Sequence, residues 1–307
     1  MTFNELRYAV ALARERHFGR AAAACFVSQP TLSVAIKKLE DELGIALFER
    51  GKAEVSVTPA GEQVIGRAQQ IIEAVESLRQ TAHRQADQLH GPLRLGAIYT
   101  VGPYLLPDLI PALHEAAPHM PLGIEENYTA ELRRQLKRGE LDAILISLPF
   151  TEPGVVVMPL YEEPFVAVLP AAHPLSTHKT VDLARLAEEE LLLLGPGHCF
   201  RDQVLEFCPE CGRTAAADAD QRTPMAGGSL ETIRHMVASG AGVTILPCTA
   251  AGAERYAQRL LAVRRLKPPA PQRRVALAWR ASFPRPKAIE ALRQAIRACP
   301  MSCVRFI

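Results

Sequence analysis

The sequence has no long apolar segment. Its longest conspicuous apolar run, Leu191–Leu194, is far shorter than the roughly 20 residues that a membrane-spanning helix needs. Residues 1–20 mix charged and apolar side chains, so they lack the uninterrupted apolar core of a secretory signal peptide. We therefore expect a protein that does not insert into membranes and that works in the cytoplasm.

The sequence also lacks an excess of charge of either sign. The chain has 35 Lys and Arg against 33 Asp and Glu, a formal net charge of +2. Residues 1–90 contain 11 basic and 11 acidic side chains, counted as Lys and Arg against Asp and Glu. Because bulk charge does not indicate a nucleic-acid partner, such a partner must be inferred from motifs.

The cysteines do not form the even set of a disulfide scaffold. There are seven, in a chain without a signal peptide, and cytosolic thiols are mostly reduced. They are Cys25, Cys199, Cys208, Cys211, Cys248, Cys299 and Cys303. The question is therefore which thiol is placed to react.

The length and the order of patterns predict several domains. A chain of 307 residues is long enough for two or three, and 48 % hydrophobic with 22 % charged residues is typical of globular proteins. After the first 90 residues, strand-like runs alternate with amphipathic helices, which indicates an α/β fold. These runs are 93–99, 122–128, 143–148, 165–169, 191–194, 243–246 and 275–279. Extended segments at 155–170 and 260–275 predict crossings between two lobes, with a ligand cleft between the lobes.

The N-terminal region has the pattern of a helix-turn-helix. Short helices are predicted over residues 4–16, 19–26 and 31–43, with a polar break at 27–30. The third helix has one apolar stripe, made of Leu32, Ile36, Leu39 and Leu43. A recognition helix enters the major groove N-terminus first, whereas a plain helical hairpin of an α-rich domain would show the same periodicity.

Polar side chains at the start and on the outer face of the third helix are the candidate DNA contacts. Gln can pair with adenine through two hydrogen bonds, and Ser and Thr contact bases or phosphates. The candidates are Ser28, Gln29, Pro30, Thr31, Ser33, Lys37 and Lys38.

A single longer helix follows the short hairpin predicted at 55–57. Thr58 is placed as its N-cap and Pro59 at its first position. Apolar residues then alternate spacings of 4 and 3, the seam of a coiled coil. The seam consists of Val64, Ala68, Ile71, Val75, Leu78 and Ala82. We expect a dimerising linker helix; a core helix lying on its own domain is the alternative.

The N-terminal motifs resemble the signature of the LysR family of bacterial transcription regulators nearly position for position. They are Phe18–Ala22, Val27–Ser33, Ile36, Leu39–Glu40, Leu43–Gly44 and Leu47–Arg50. The resemblance implies an all-α winged helix-turn-helix domain at 1–58, a linker helix at 59–90 and two α/β lobes, similar to periplasmic binding proteins, at 91–307. It also implies promoter DNA and RNA polymerase as partners, and a homotetramer built from linker-helix dimers.

Cys199 is the cysteine with the most reactive surroundings. It follows an apolar run and a glycine-rich turn, at an apparent helix start. Helix N-terminal amides stabilise a thiolate, as would nearby Arg201 or protonated His198. A thiolate attacks peroxide to give a sulfenic acid, which condenses with a second thiol within reach.

Cys208 is the nearest candidate for that second thiol. It lies nine residues after Cys199, about 13 Å away along a helix, whereas a disulfide needs α-carbons within about 7 Å. Joining the two thiols must therefore unwind the segment, so that redox state selects between two conformations. Two cysteines that never meet are the commoner alternative.

Three further segments resemble the peroxide-sensing members of the LysR family. They are Gly197–Gln203 followed by Cys208, Thr100–Pro107 and Ser229–Arg234. The resemblance implies that Cys199 is the peroxidatic and Cys208 the resolving cysteine of an activator of oxidative-stress genes. It places Thr100, Thr129, His198 and Arg273 at the peroxide pocket, although strand alternation would send Arg273 and Arg274 to opposite faces.

Other interpretations remain open from the sequence. The protein could be a LysR regulator of a small metabolite with incidental cysteines, or a thiol peroxidase or solute-binding enzyme, which would leave the N-terminal motif without a role. Cys208-x-x-Cys211 has the spacing of a zinc half-site, but a second such pair is missing. We expect no enzyme, no cofactor and no metal, and inert thiols at Cys25, Cys248, Cys299 and Cys303.

Overall fold

The N-terminal domain consists of three short helices and a hairpin. The computed structural model describes residues 1–50, 55–82, 88–210, 227–252 and 259–307. The helices are α1 (Phe3–Glu15), α2 (Phe18–Ala24) and α3 (Gln29–Leu43), and the hairpin pairs β1 (Phe48–Arg50) with β2 (Val55–Val57) antiparallel. Ser28 caps α3, because its hydroxyl accepts the amide hydrogen of Thr31 at 3.3 Å. The predicted apolar stripe of α3 is buried against α1 at Leu32, Ile36 and Leu39.

The linker helix α4 (Pro59–Ala82) begins as predicted. The Thr58 hydroxyl accepts the amide hydrogen of Gly61 at 2.8 Å. The predicted seam is divided between two surroundings. Ala68 is buried against the N-terminal core, whereas Ile71 is 43 % and Leu78 69 % exposed. The two exposed residues are one heptad apart and form an apolar stripe on the outside of the chain.

Two lobes follow, each with its own apolar core. Lobe I contains β3 (Leu93–Ile98), β4 (Leu122–Asn127), β5 (Ala143–Ser147), β10 (Gln272–Arg280) and the helices α5 (Gly102–Ala116), α6 (Thr129–Lys137) and α11 (Pro286–Ala298). Lobe II contains β7 (Thr180–Val181), β8 (Thr244–Pro247), β9 (Leu261–Leu266) and the helices α7 (Leu183–Leu186), α8 (Cys199–Phe207), α9 (Leu230–Ala238) and α10 (Cys248–Ala251).

One long strand, β6 (Val155–Pro170), connects the lobes. Its first part pairs antiparallel with β10 in lobe I, and its second part pairs antiparallel with β8 and β9 in lobe II. The full sheet order is β4-β3-β5-β10-β6-β9-β7, with β8 and the short C-terminal β11 (Arg305–Phe306) also paired to β6. The predicted crossing at 155–170 is confirmed.

One sequence prediction in this region needs correction and another is confirmed. Leu191–Leu194 does not form a strand; it contributes only isolated bridges, from Leu191 to Val243 and from Leu194 to Gly227. The predicted crossing at 260–275 is confirmed, because the chain passes from β9 in lobe II to β10 in lobe I through a proline-rich stretch at 267–271. Prolines have no amide hydrogen to donate, so they interrupt the ladder between the lobes.

A buried ion pair fastens the linker helix to lobe I. The Arg280 guanidinium, at the end of β10, donates through Nε to Glu73 on α4, and both side chains are buried. Gln69 Nε2 donates to the same carboxylate at 2.9 Å, and the Ser282 hydroxyl donates to its other oxygen. Arg280 Nη1 donates to the carbonyl of Leu136, so both charged groups have several partners.

Replacing Glu73 by Ala should destabilise the chain strongly. The change leaves the buried Arg280 guanidinium with only the more distant Asp142 carboxylate, at 3.9 Å, as a charge partner, and breaking a buried pair costs about 3–5 kcal/mol. Urea denaturation measures the free energy of unfolding. The matched control is Glu290→Ala, which removes an exposed pair with Arg293 and should cause no comparable loss. Equal losses in the two variants would contradict a structural role for the buried pair.

Candidate functional site

Cys199 is the first residue of α8, as predicted, and is a half-buried free thiol. The preceding turn depends on Gly197, whose φ is +94°. A Cβ at this position would also approach the Tyr128 ring at 3.3 Å. Glycine therefore allows the turn that brings Cys199 to the lobe junction. The Cys199 sulfur lies there at the N-terminal end of a helix, where backbone amide groups stabilise a thiolate.

Residues of both lobes form a small cleft at Cys199. Its lining consists of Ile98, Tyr99, Thr100, Asn127, Tyr128, Thr129, Gly197, His198 and Cys199, and we name it the Cys199 cleft. The cleft volume is about 10 Å³, room for about one water-sized molecule. The structure thus brings together four of the predicted site residues, Thr100, Thr129, His198 and Cys199.

Arg273 acts on the Cys199 cleft through Thr100 and is not part of its lining. Its fully buried guanidinium donates to the Thr100 hydroxyl and to the Thr100 carbonyl, both at 2.8 Å, and to Glu163 Oε2 at 2.7 Å. Arg274 points the other way, is 59 % exposed and pairs with Glu162, as strand alternation predicted. Because the Thr100 oxygen accepts from Arg273, its own O–H is available to donate to a ligand.

The Thr129 hydroxyl has no partner among the described residues although it is buried. Thr129 is the first residue of α6 and lines the Cys199 cleft. A buried hydroxyl without a hydrogen bond is costly, and native structures satisfy nearly all such groups. An unpartnered hydroxyl beside a half-buried thiol is what a site for a small polar ligand requires.

His198 is buried between two tyrosine rings. Its imidazole contacts Tyr128 at 4.8 Å and Tyr99 at 5.9 Å between ring centroids, both edge to face. Burial lowers the pKa of His198 below its usual value, so the imidazole is neutral at neutral pH. This corrects the expectation that a protonated His198 stabilises the Cys199 thiolate.

Helix α8 is anchored to both lobes. Phe200 and Val204 are buried in the core of lobe II, and Phe200 contacts Phe165 edge to face at 5.0 Å. Gln203 Nε2 donates across the cleft to the Ser147 hydroxyl at 2.9 Å and to the Leu148 carbonyl at 3.0 Å. Sequence reasoning did not single out Gln203. Its spacing of four residues from Cys199, on the same helix face, was the available signal.

Cys208 lies at the opposite end of α8 from Cys199. It is buried, follows the last helical residue and is disulfide-bonded, while Cys199 is free. The predicted Cys208-x-x-Cys211 pair lies outside the described residues, because Cys211 is not among them. Within the described part of the chain, no group of three or more His, Cys, Asp or Glu could hold a metal ion.

The other cysteines divide into two kinds. Cys25 is half-buried and Cys299 is buried; burial raises the pKa of Cys25 and raises that of Cys299 to about 11, which fits inert thiols. Cys248 and Cys303, in contrast, are joined by a disulfide. The expectation of inert thiols at these two positions is therefore wrong. The two cysteines are 55 residues apart in sequence, and only the fold brings them together.

Most of the candidate DNA-contacting residues are exposed on the N-terminal domain. Ser28, Gln29, Pro30, Thr31 and Lys37 are exposed and Ser33 is half-buried. Lys38 is exposed but pairs with Glu5 at 3.1 Å, so part of its role is internal to the domain. Phe26, which sequence reasoning missed, is 94 % exposed in the turn before α3, with a φ of +59°.

Among the described helices, none is both long and apolar enough to cross a membrane.

The arrangement of a winged helix-turn-helix, a linker helix and two lobes around a cleft defines a class of regulator. Residues 3–62 match the bacterial regulatory helix-turn-helix of the lysR family, and residues 86–299 match the LysR substrate binding domain. The chain belongs to the LysR family of transcription regulators.

Among relatives, the chain is 42 % identical over 298 residues to the DNA-binding transcriptional dual regulator OxyR of Escherichia coli, covering 97 % of this chain and 95 % of that protein. Full-length OxyR from Pseudomonas aeruginosa, solved as a cysteine-to-aspartate mutant, is 54 % identical with a TM-score of 0.88, covering 98 % of this chain and 96 % of that one. A cysteine mutant of Corynebacterium glutamicum OxyR, solved with bound H₂O₂, is 33 % identical with a TM-score of 0.63, covering 96 % and 91 %.

Replacing His198 should alter the pH dependence of stability. Burial lowers the pKa of His198 in the folded chain. At pH values just below the unfolded-state histidine pKa of about 6.5, the unfolded chain therefore binds more protons than the folded chain. Stability from the neutral imidazole is therefore present above that pH and is lost as the pH falls toward the folded-state pKa. Urea titrations between about pH 5 and 7 should show a shallower loss in His198→Asn than in the parent chain.

The control for this measurement is His178→Asn, at an exposed position of lobe II. Its unfolding free energy should follow the parent chain across the pH range. A parent-like slope in His198→Asn would show that His198 does not carry this pH dependence.

Proposed function

We propose that the chain is a LysR-type regulator that binds promoter DNA and senses hydrogen peroxide through oxidation of Cys199, thereby controlling oxidative-stress genes. The observation that carries this proposal is a free Cys199 thiol at a helix N-terminus, in a cleft that also holds an unpartnered threonine hydroxyl. Relatives named as hydrogen peroxide-inducible genes activators, 40–42 % identical over 97 % of this chain, support it.

The size of the Cys199 cleft favours peroxide over an organic effector. Pockets for small organic ligands usually enclose about 300–1,000 Å³. A volume of about 10 Å³ admits a ligand of one or two heavy atoms and no ring or carboxylate chain. The alternative of a metabolite sensor with incidental cysteines therefore has no supporting site beside Cys199.

The chemistry follows from the groups in the cleft. The Cys199 thiolate attacks one peroxide oxygen, the O–O bond breaks and the other oxygen leaves as hydroxide, which takes up a proton to become water. The Thr100 hydroxyl, oriented by Arg273, and the Thr129 hydroxyl donate hydrogen bonds to the two oxygens. Donors aimed at the oxygen that gains negative charge stabilise the transition state.

The second step changes the fold. A Cys208 thiolate attacks the Cys199 sulfur, the S–O bond breaks and the oxygen leaves as hydroxide, which takes up a proton to become water, so that a disulfide remains. Because the two cysteines lie at opposite ends of a nine-residue helix, α8 must unwind and Gln203 must leave Ser147 and Leu148. Cys208 can resolve Cys199 only as a thiol, so the disulfide that it forms in this structure must first be reduced.

The remaining assignments rest on the family. We propose a division into a DNA-binding domain at 1–58, a linker helix at 59–90 and a regulatory domain at 91–307. The exposed stripe of Ile71 and Leu78 supports dimerisation through α4, and the family resemblance supports a tetramer and contact with RNA polymerase. A bacterial DNA-binding regulator works in the cytoplasm. Each oxidation event switches the protein without catalytic turnover, so it is not an enzyme.

Cys199→Ser should abolish the response to peroxide. The fully reduced parent chain, treated with one equivalent of H₂O₂, should show a Cys199–Cys208 linkage by peptide-mapping mass spectrometry and a changed footprint on promoter DNA. Cys199→Ser should show neither, while Cys25→Ser should behave like the parent chain. A parent chain whose Cys199 stays reduced under these conditions would overturn the peroxide assignment.

Thr129→Val should slow the oxidation of Cys199 without removing it. The variant keeps the shape of the side chain and deletes a hydroxyl whose hydrogen bond to peroxide is worth about 1–1.5 kcal/mol, so the second-order rate constant should fall about tenfold. Stopped-flow or rapid-quench trapping of the sulfenic acid measures this rate. The matched control is Thr180→Val, at an exposed position of β7, which should leave the rate unchanged. An unaltered rate of Cys199 oxidation in Thr129→Val would show that the Thr129 hydroxyl does not bind peroxide.

A further inference from the structure

The disulfide between Cys248 and Cys303 crosses the junction of the two lobes. Cys248 is the first residue of α10 and packs against the core of lobe II. Cys303 lies in the C-terminal segment, whose neighbouring residues Met301, Val304 and Phe306 pack against the core of lobe I. The bond therefore joins an element of one lobe to an element of the other, with α-carbons 6.2 Å apart.

The bond also lies over the strand that connects the lobes. Cys248 directly follows Pro247, which pairs with Phe165 on β6. Cys303 is two residues before Arg305, which pairs with Glu162 on the same strand. Both halves of the disulfide are thus fixed beside residues 162–165, where β6 leaves lobe I and enters lobe II.

A chain of hydrogen bonds leads from this position to the Cys199 cleft. Thr249, next to Cys248, donates through its amide to Glu163 Oε1 at 3.0 Å and also through its hydroxyl. The other oxygen of Glu163 accepts from Arg273, which holds Thr100 at the cleft. Thr249, Glu163, Arg273 and Thr100 are thus linked in series by hydrogen bonds. A movement of α10 is therefore transmitted to Thr100, in the wall of the Cys199 cleft.

Both cysteines can be reached from solvent. Cys303 is exposed and Cys248 is half-exposed, whereas Cys299, four residues before Cys303, is buried and free. Thiol–disulfide exchange needs access for the attacking thiolate along the S–S direction. An accessible disulfide between two lobes is more open to reduction than one inside a core.

We propose that Cys248 and Cys303 form a second redox couple, separate from Cys199, whose disulfide fastens the lobe junction and whose reduction frees it. The oxidant is a low-molecular-weight disulfide. One thiolate of the pair attacks it and releases one small thiol, and the second cysteine attacks the mixed disulfide and releases the other. Two protein thiols are oxidised to one disulfide, and one small disulfide is reduced to two thiols.

The couple would tune the Cys199 response. Unwinding of α8 breaks its contacts with lobe I, including Gln203 with Ser147, and the loss of contacts between the lobes frees them to shift about β6. A covalent tie across β6 restricts that shift. Oxidised Cys248–Cys303 therefore slows the conformational step, and the reduced pair permits it; this second statement rests on the proposed function of Cys199.

The couple itself is tested without the Cys199 chemistry. Full-length Cys199→Ser is equilibrated in buffers that span reduced to oxidised glutathione, quenched in acid, unfolded, alkylated and mapped by mass spectrometry. We expect the Cys248–Cys303 linkage to rise from absent to complete in a single transition, with Cys25 and Cys299 alkylated throughout. Separate glutathione adducts on Cys248 and Cys303, or a linkage that forms at no ratio, would overturn the proposal.

The effect on the switch is tested with Cys303→Ser and its neighbour control Ser302→Ala. Rapid-quench mapping after H₂O₂ follows two rates, formation of the Cys199 sulfenic acid and its condensation with Cys208. Each chain is first fully reduced and then held at the glutathione ratio that forms the Cys248–Cys303 linkage, and mapping verifies a free Cys208 before peroxide is added. We expect Cys303→Ser to condense several-fold faster than the parent chain and Ser302→Ala, with equal sulfenic acid formation in all three. Equal condensation rates would overturn the tuning role. If no sulfenic acid forms in any chain, the proposed function fails, and the glutathione titration still decides whether the couple exists.

Discussion

The structure depends on one buried guanidinium. Arg273 has no exposed side-chain surface, so its charge must be paired within the fold. It meets this need by donating hydrogen bonds to Glu163 on β6 and to both oxygens of Thr100, and Glu163 in turn accepts hydrogen bonds from Thr249 on lobe II. A single residue thus connects the strand between the lobes, the wall of the Cys199 cleft and the first helix after β8. The position of the Thr100 hydroxyl at the cleft follows from this pairing.

A second constraint is the length of α8. The helix has nine residues, with Cys199 at its start and Cys208 just past its end, and at 1.5 Å per residue its ends are about 13 Å apart. A helix and a disulfide between its ends exclude each other, because the bond requires α-carbons within about 7 Å. The buried Phe200 and the cross-cleft bonds of Gln203 stabilise the helical state, so oxidation must break specific contacts. This exclusion gives the segment two discrete arrangements in place of a gradual change.

Much of the fold was predictable because its signals are local. The stripe of α3, the Thr58 cap, the β6 crossing and the helix start at Cys199 are all encoded within a few residues. The Thr100, Thr129 and His198 positions came from a resemblance, and the structure places them together. The failures involve distant partners. Nothing near Cys248 indicates Cys303, and nothing near Gln203 indicates Ser147, since such contacts are set by how the lobes pack. Leu191–Leu194 is strand-like by composition, but the fold offers it only single bridges.

The strand β10 connects the surroundings of the Cys199 cleft to the linker helix. Arg273 lies near its first residue and Arg280 is its last, about 24 Å away at 3.4 Å per residue. At one end Arg273 holds Thr100 and β6; at the other, Arg280 holds Glu73 on α4. Because β10 pairs with β6 over its whole length and with β5 from Val275 to Trp279, we expect it to move together with the sheet. A shift of the lobes about β6 that displaces Arg273 therefore also displaces Arg280, which holds α4 through Glu73. Helix α4 in turn packs directly on the DNA-binding domain through Ile65 and Ala68.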